Sequence, residues 1–571
     1  METLTVVDAA NIGASILMRF TDSNRELDLE IRKLIVVMSG VFRDHKAPPT
    51  PVDYLGATCT SLDIATASMP QASGHVLDAH LTVLSIVIPK VPAAFLIKNL
   101  WPLFNSIARP LRSSSLFDES TGCLVVKCIA EFIIAVAKVV NNWSDVSELY
   151  SFFLNLATIK ALEVRTQLCL CLPDVLQRFQ GTPLFDPAIK KITDLLNKYP
   201  PLGNHDVKAS ASVLSQKEKA WFTLDVVKVS LCLMSTEDRT AVLIYFKSLL
   251  ELNQFPVTAR IVDCLYGLCL DPSADVSPEL LLDLIRSICL SVTQHKMMYI
   301  PETAAGLLSI GVAKVYSFNQ KICKTNLPIV FDALKVILGE PKIDDLPDAV
   351  HAFKCLIHAC IDESLIKEGV DCVVMNASMD DGSKSEPTII ENLCATIQSL
   401  LGHCKTTIWA LAFEVVSTMF DKLGAYSSYL MRGTLKTLAD MQKLPDQEFS
   451  FKEEVKLLLK MLVEKCGFDA IMAVMPQEHK KLLLEINEMG SKSVEVISHA
   501  SEATTVRYHL SQSESSDNQM HDKALGPCKN SKRKMDGGGN EFCDRHARSI
   551  AKREMTKRMS GAALMAKKLK L

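Results

Sequence analysis

From Thr3 to about Asn487 apolar residues recur at spacings of three and four, in stretches of about 12 to 20 residues separated by short polar breaks. That is the period of one face of an α-helix, and no strand-like alternation worth naming lies between the stretches. The pattern is clearest after Pro387. Ile390, Leu393, Cys394, Ile397, Leu400 and Leu401 form one stripe, with Gly402 as its C-cap. Ile408, Ala412, Val415, Val416, Met419 and Leu423 form the next, closed by Gly424. A third helix is predicted to carry Tyr429, Leu430, Leu435, Leu438 and Met441 and to end before Pro445. Breaks this short force the helices to pack as antiparallel neighbours. Helix starts are marked too. Ser235 with Asp238 resembles a capping box ahead of Val242, Leu243, Phe246, Leu249 and Leu250, and Ser277-Pro278 places Pro at the first helical position before Leu281, Leu284, Ile285 and Ile288.

The predicted breaks fall near 44–53, 109–119, 199–216, 271–277, 340–346 and 376–387. Many of their separations approximate one or two units of about 40–47 residues, the repeat length of HEAT and armadillo arrays. One helix pair cannot cover its own wide apolar stripe and must bury it against the next pair. The pattern therefore predicts an all-α fold: a HEAT/armadillo-like α-solenoid of antiparallel helix pairs over 1–488, in roughly ten to twelve pairs. A globular multi-domain bundle is the competing arrangement. Beyond Gly490 the periodicity dissolves. Residues 489–540, rich in Ser, Asn, Asp and Gly and including Gly537-Gly538-Gly539, read as a flexible linker. Residues 541–571 read as a basic, partly helical and otherwise disordered tail, with Ala547, Ile550, Ala551, Met555 and Met559 at helical intervals.

Composition narrows the class. Of 571 residues 48% are hydrophobic and 22% charged, which excludes wholesale disorder. Only 6% are aromatic and 23 are Gly, which argues against a large β protein. The apolar run from Cys123 to Val140 is cut by Lys127, Glu131 and Lys138, short of the ~18 uninterrupted residues a membrane helix needs, so no membrane partner is expected. The 18 cysteines are scattered, many on apolar faces such as Cys264, Cys269, Cys289 and Cys394, as buried thiols of a reducing compartment are. Met1 to Asp8 lacks the basic and apolar regions of a secretory signal, leaving a cytosolic or nuclear address as the expectation. The net charge of −3 hides an asymmetry: from residue 522 onward 14 Lys and Arg face 5 Asp and Glu, whereas the first 521 residues carry 48 and 60. An acidic body with a basic tail implies separate duties.

Motifs for catalysis are absent. No phosphate-cradling or dinucleotide glycine loop, H-E-x-x-H or G-x-S-x-G occurs. His351 and His358 share a helix face without a carboxylate at ligand spacing, and Cys169 and Cys171 read as packed thiols. Cys528, Cys543 and His546 are unequally spaced and lack a fourth ligand. Asp344-Asp345 and Asp380-Asp381 read as solvated loop charges. The residues thus predict a non-enzymatic protein with no cofactor, no metal and no small-molecule substrate. The charged feature with a job is the tail: Lys532, Arg533, Lys534, Lys552, Arg553, Lys557, Arg558, Lys567, Lys568 and Lys570. Such clusters read as nuclear-import signals, with the final K-K-x-K suited to an importin groove, or as contacts to nucleic-acid phosphates. A solvated tail without a partner is the bland alternative.

Several stretches resemble the ribosomal RNA-processing protein 12 family of HEAT/armadillo-type ribosome-assembly and export factors. They are Val164-Arg165 with Asp174 to Gly181, Leu250 to Arg260 with Cys269 to Leu280, and Val416 to Gly424 continuing through Arg432-Gly-Thr-Leu-Lys to Met441-Gln-Lys-Leu-Pro445. The likeness is strongest over about 150–465. It implies a nuclear or nucleolar protein that binds pre-ribosomal particles of protein and rRNA, chiefly small-subunit precursors, and supports their maturation and export while shuttling to the cytoplasm. It further implies contact with RNA, the Ran GTPase and nuclear pore components. Members of that family typically carry a second solenoid half; the likeness here fades after Met475-Pro476, so a short paralogue or a chain lacking that half is expected. A karyopherin-like transport receptor and a protein scaffold outside the ribosome pathway are the rival readings.

Overall fold

The computed structural model describes residues 12–21, 25–44, 49–67, 74–112, 118–200, 215–294, 303–339, 346–378, 386–402, 406–444 and 451–493. Their regular structure is helical throughout, with no strand among them. Contacts gather Met1–Asn487 into one compact unit and Glu488–Leu571 into another, of which only the end of one helix is described.

The first third of the described chain holds α1 (Ile12–Arg19), α2 (Glu26–Asp44), α3 (Pro51–Ala67), α4 (Gly74–Val87), α5 (Ala93–Lys98), α6 (Leu100–Arg112), α7 (Glu119–Val136) and α8 (Ser147–Asn155). The middle holds α9 (Leu162–Phe179), α10 (Phe185–Lys198), α11 (Gln216–Ser230), α12 (Thr236–Leu250), α13 (Phe255–Leu270), α14 (Pro278–Gln294), α15 (Thr303–Phe318) and α16 (Gln320–Gly339). Then follow α17 (Leu346–Cys360), α18 (Glu363–Ser378), α19 (Ile389–Leu400), α20 (Thr406–Leu423), α21 (Ser427–Leu430), α22 (Arg432–Met441), α23 (Lys452–Cys466), α24 (Phe468–Val474) and α25 (Lys480–Ser493).

The packing within Met1–Asn487 is that of a two-layer stack. In one layer α2, α4, α7, α9, α11, α13, α15, α17, α20 and α23 each lie against the next. In the other, α3 packs on α6 and α8 on α10, and α12, α14, α16, α19 and α22 follow in unbroken succession. One continuous apolar core runs between the layers, from Ile12 to Ile486. The arrangement is the all-α solenoid of helix pairs that the periodicity predicts.

Polar bonds between successive pairs report the repeat length directly. Ser106 donates to Asp63 and Thr121 to Asp78 across 43 residues, Thr303 to Asp263 across 40, and Gln398 to Thr437 across 39. Thiols do the same with backbone carbonyls: buried Cys128 donates to Leu81 O and buried Cys264 to Leu224 O, and half-buried Cys466 to Gly424 O. In one region the separation jumps. Thr396 reaches Asp332 across 64 residues, Lys354 reaches Glu414 across 60 and Lys422 reaches His358 O across 64. The surplus is α18, which stands outside the alternation and packs on α19 and α21. Gly369 permits this seat, since a Cβ there would lie 2.1 Å from Ile390 Cγ2.

Local expectations fare unevenly. The stripes of α19 and α20 are buried as predicted, and Gly424 takes φ +54°, the left-handed cap position. Gly402 does not: its φ is not positive, and its N–H simply bonds Ser399 O. The predicted third helix is two pieces, α21 and α22, broken at Met431; Tyr429 is 48% exposed, while the break lets Ser427, Ser428, Leu430 and Met431 all turn inward. Ser235 caps the Asp238 N–H, but the aspartate does not return the bond to the backbone and takes the Ser235 hydroxyl instead. Reciprocal bonds between the N-cap and the third helical residue are closed at Thr50/Asp53, Ser215/Glu218 and Thr388/Glu391. The break expected from 376 begins later, because α18 runs to Ser378.

Candidate partner-binding surface

All ten basic residues singled out in the tail, from Lys532 to Lys570, lie outside the described residues, as do Cys528, Cys543, His546, Asp344, Asp345, Asp380 and Asp381. The other candidates, His351, His358, Cys169 and Cys171, lie among the described residues. His351 Nε2 lies 3.2 Å from Cys355 Sγ one turn along α17. His358 is exposed, its pKa lowered by desolvation with Lys422 and Lys354 adding to the effect. Burial pushes the Cys169 thiol up to about 12 and raises that of Cys171 too, so both favour the protonated thiol. Buried His479 sits 2.7 Å from Asp440 with Glu478 beside it. Lys443 in turn pairs with Glu478 at 3.5 Å, so this group reads as an ion-pair clasp between α22 and the turn before α25.

A different feature emerges in the middle of the stack. No described residue of α11 or α13 is exposed, and in α15 only Ser317 and Phe318 are. Opposite them, α12 and α14 expose residues on nearly every turn. The side made by α11, α13 and α15 is therefore largely covered, while α9 beside it is more open, and its half-buried surface is lined by a ladder of charges and rings. Arg165 on α9 donates to Ile159 O and Lys160 O, both at 2.7 Å, and lays its guanidinium 3.5 Å over the Phe222 ring on α11. Asp225 and Lys228 on α11 meet Arg260 and Asp263 on α13, each pair at 3.3 Å. Arg260 lies 5.7 Å from the Trp221 ring, and Thr303 on α15 donates to Asp263 at 2.6 Å.

The electrostatics follow from the recess. Burial raises the Asp225 pKa, and Arg260, Lys228 and Arg165 pull it back. Burial lowers that of Arg165, which nonetheless stays cationic. Oppositely charged partners at this range compensate each other's desolvation. The arrangement combines paired charges, two aromatic rings and the open backbone of Gly267, where a Cβ would touch nothing within 4 Å.

The sequence reading did not nominate Asp225, Lys228, Arg260 or Asp263 as a group. The signal was present: opposite charges 35 residues apart, near the repeat length. Residues that carried the family resemblance turn out to fasten neighbouring repeats. Arg165 and Arg260 belong to the ladder; Lys314 donates to Asp271 O and Ala274 O; Lys422 donates to His358 O; and Asp421 pairs with Lys465.

A stacked two-layer array of helix pairs defines a helical-repeat protein. Comparison with known proteins specifies the kind. Residues 1–276 match the family model described as RRP12-like, N-terminal HEAT repeats, and residues 346–490 match that of ribosomal RNA-processing protein 12, HEAT repeats, together about three-quarters of the chain. The chain belongs to the ribosomal RNA-processing protein 12-like family of HEAT-repeat proteins. Between the two matches α14, α15 and α16 continue both layers without interruption. No curated protein sequence matches the chain. Among solved structures it is similar to an engineered protein from a structural genomics consortium, at 12% identity and a TM-score of 0.29, covering 75% of this chain and 98% of that one. Family membership implies a role in ribosomal RNA processing and, with it, a nuclear or nucleolar setting. The family is one of helical scaffolds. No helix among the described residues is long and apolar enough to cross a membrane.

Proposed function

We propose that the chain is a non-enzymatic scaffold that binds pre-ribosomal particles, chiefly small-subunit precursors, and supports their maturation and nuclear export. The reading divides the chain into a solenoid over 1–488, a linker over 489–540 and a basic tail over 541–571. The recessed face of α9, α11, α13 and α15 takes an extended segment of a particle protein; the tail's Lys and Arg clusters contact rRNA phosphates or an importin. Ran and nuclear pore components are further partners during shuttling. The observation that carries the reading is the pair of family matches spanning most of the stack. It is supported by a groove whose polar groups suit protein more than nucleic acid: its cations already face carboxylates or carbonyls. The test is sedimentation of nuclear extract on a sucrose gradient, probing fractions for the protein and for precursor rRNA. Co-migration with small-subunit precursors is expected; absence from every pre-ribosomal fraction would overturn the proposal.

A further inference from the structure

Between Asp78 and Asp118 the sequence holds no Asp or Glu and four cations, Lys90, Lys98, Arg109 and Arg112. The first 521 residues carry 60 acids, about one in nine, so this gap reverses the charge of the body locally. Part of it folds as α5 and α6. The residues that α6 exposes are Trp101, Pro102, Asn105, Arg109 and Arg112, which lie along one stripe at helical spacing. Trp101 is 44% exposed. Buried Phe104 joins this stripe to the next helix of its layer. Its ring lies 5.8 Å from that of Trp101 and 5.0 Å from that of Phe152 on α8, and the Arg112 guanidinium sits 5.8 Å from it. Phe152 in turn walls a shallow cleft of about 370 Å³ between α8 and α10, at the small end of ligand pockets. Ser147, Ser151, Asn155, Lys191 and Glu148 line the rest of it. We infer that this surface binds a single strand of nucleic acid, RNA in the setting of the family. One base stacks on Trp101, phosphates meet Arg112, Lys98 and Lys191, and an adjoining nucleotide enters the cleft.

Three observations select this occupant. The first is uncommitted charge. Arg112 donates only to the neutral Asn105 Oδ1, at 3.1 Å, and exposed Lys98 and half-buried Lys191 face no carboxylate within 4 Å among the described residues. Arg109 differs: it pairs with Asp63 at 3.2 Å and anchors α6 to α3. The ladder on α9, α11 and α13 pairs its cations in the same way, which makes the α6 surface the better match for phosphate. The second is the kind of apolar surface on offer. Among the described residues of α6, α8 and α10, Trp101 is the one large apolar side chain well exposed. A groove for a peptide would present aliphatic pockets, whereas an aromatic ring beside cations is the equipment that stacks bases. Glu148, the carboxylate of the cleft, can accept from a ribose hydroxyl or a base amine. The third is length. Trp101 and Arg112 are eleven residues apart, about 16 Å along the helix axis, which spans roughly four to five stacked nucleotides.

The experiment uses the full-length chain with the ten tail cations changed to Ala, so that only the body can bind. A fluorescent oligouridylate of about ten nucleotides is titrated by anisotropy, with thermal melting followed by circular dichroism as the control for folding. Binding is expected to survive loss of the tail charges. Trp101→Ala should weaken it on the order of tenfold, and Trp101→Phe, which keeps a ring, by about twofold. Arg112→Gln and Lys98→Gln change exposed side chains and should leave the melt in place. Each should lower the slope of log affinity against log salt by about one. Ultraviolet cross-linking of the unaltered chain to the same strand should yield an adduct on the peptide that holds Trp101. No binding once the tail is neutralised, an affinity unmoved by Trp101→Ala, or equal competition by oligoglutamate would each overturn the inference. A bare oligonucleotide suffices, so failure here leaves the particle reading standing, and absence from pre-ribosomal fractions leaves this one standing.

Discussion

Replacing Arg239 asks whether the polar bonds between repeats hold the stack in register or merely decorate it. The side chain is 5% exposed. Its Nε donates to Leu231 O at 3.2 Å and its Nη2 to Cys232 O at 3.1 Å and Met234 O at 2.8 Å, closing the turn between α11 and α12. Its Nη1 donates to Asp275 O at 2.6 Å, in the turn between α13 and α14, 36 residues on. Arg239→Ala leaves four carbonyls without these donors. Those of Leu231 and Met234 are bonded in the interior and lose about 1–3 kcal/mol each, the Leu231 carbonyl keeping only the Met234 N–H at 3.4 Å, while those of Cys232 and Asp275 can regain water. With the lost packing of the stem the total is about 4 kcal/mol. Arg239→Lys keeps a charge but cannot span both turns with one ammonium, and should recover about half. Stability in a repeat array is a sum of nearest-neighbour terms, so the lesion should be local. Hydrogen exchange read by mass spectrometry should show protection falling by about a thousandfold over 216–294 while α19 to α22 stay protected. A loss below about 1 kcal/mol, or one spread evenly along the chain, would refute the claim that this guanidinium locks adjacent repeats.

Other perturbations probe the core, a cap and the tail. Leu393 is fully buried, so Leu393→Asp sets an unpaired charge in the core and should cost on the order of 3 kcal/mol in urea melting; an unchanged melt would disprove the stripe's register. Asp362 accepts from Lys324 at 2.5 Å, Tyr316 at 3.0 Å, Ser364 at 2.7 Å and the Leu365 N–H at 3.0 Å. Desolvation opposes these donors but is outweighed, and its pKa lies well below the usual carboxylate range. Folded below unfolded means its stabilisation is complete above the unfolded value near ~4 and is lost as pH falls through the lower folded one. Asp362→Asn should therefore cost about 1–2 kcal/mol at neutral pH, less below pH ~4; a gap constant with pH would contradict the assignment. Changing Lys567, Lys568 and Lys570 to Ala should shift the protein toward the cytoplasm under microscopy, and unaltered localisation would transfer the import role to Lys532, Arg533 and Lys534 or to the body.

The helices were legible because burial on one side imposes a period. Leu393, Val415 and Met419 occupy the stripes that the three-and-four spacing assigns them, at 0% exposure. What the period does not encode is where a stripe breaks to turn a short run inward, as at Met431, or which cap a side chain can physically reach. Asp238 leaves its box open while Asp53 closes the same one with Thr50, so the residue type alone does not decide the cap. The recessed face was illegible for another reason. Residues such as Asp225 and Asp263 look like ordinary solvated helix charges until the next pair lies alongside, and partners 35 residues away are found only when the repeat length is known. The inserted α18 hid in the same way, since as a lone helix it resembles its neighbours and betrays itself through bonds that span 60 to 64 residues.

Apolar stripes alone would specify this stack poorly. Shifting one helix along another by a turn, about 5.4 Å, changes its buried area little, because ridges of similar size recur at each turn. A hydrogen bond tolerates a few tenths of an ångström, so a single Thr303–Asp263 or Arg239–Asp275 contact rejects every slipped register. That division of labour bears on what the recessed face can hold. Its cations are committed: Arg260 to Asp225, Lys228 to Asp263, Arg165 to two carbonyls. A phosphate backbone would have to strip them from those partners and lie against Asp225 and Asp263, losing the register bonds while gaining its own. An extended polypeptide asks for less, since it can accept from the outward side of a paired cation and lay its apolar residues on Phe222 and Trp221 without opening a pair. The physical cost therefore weighs against a phosphate backbone on this face and is lower for an extended polypeptide.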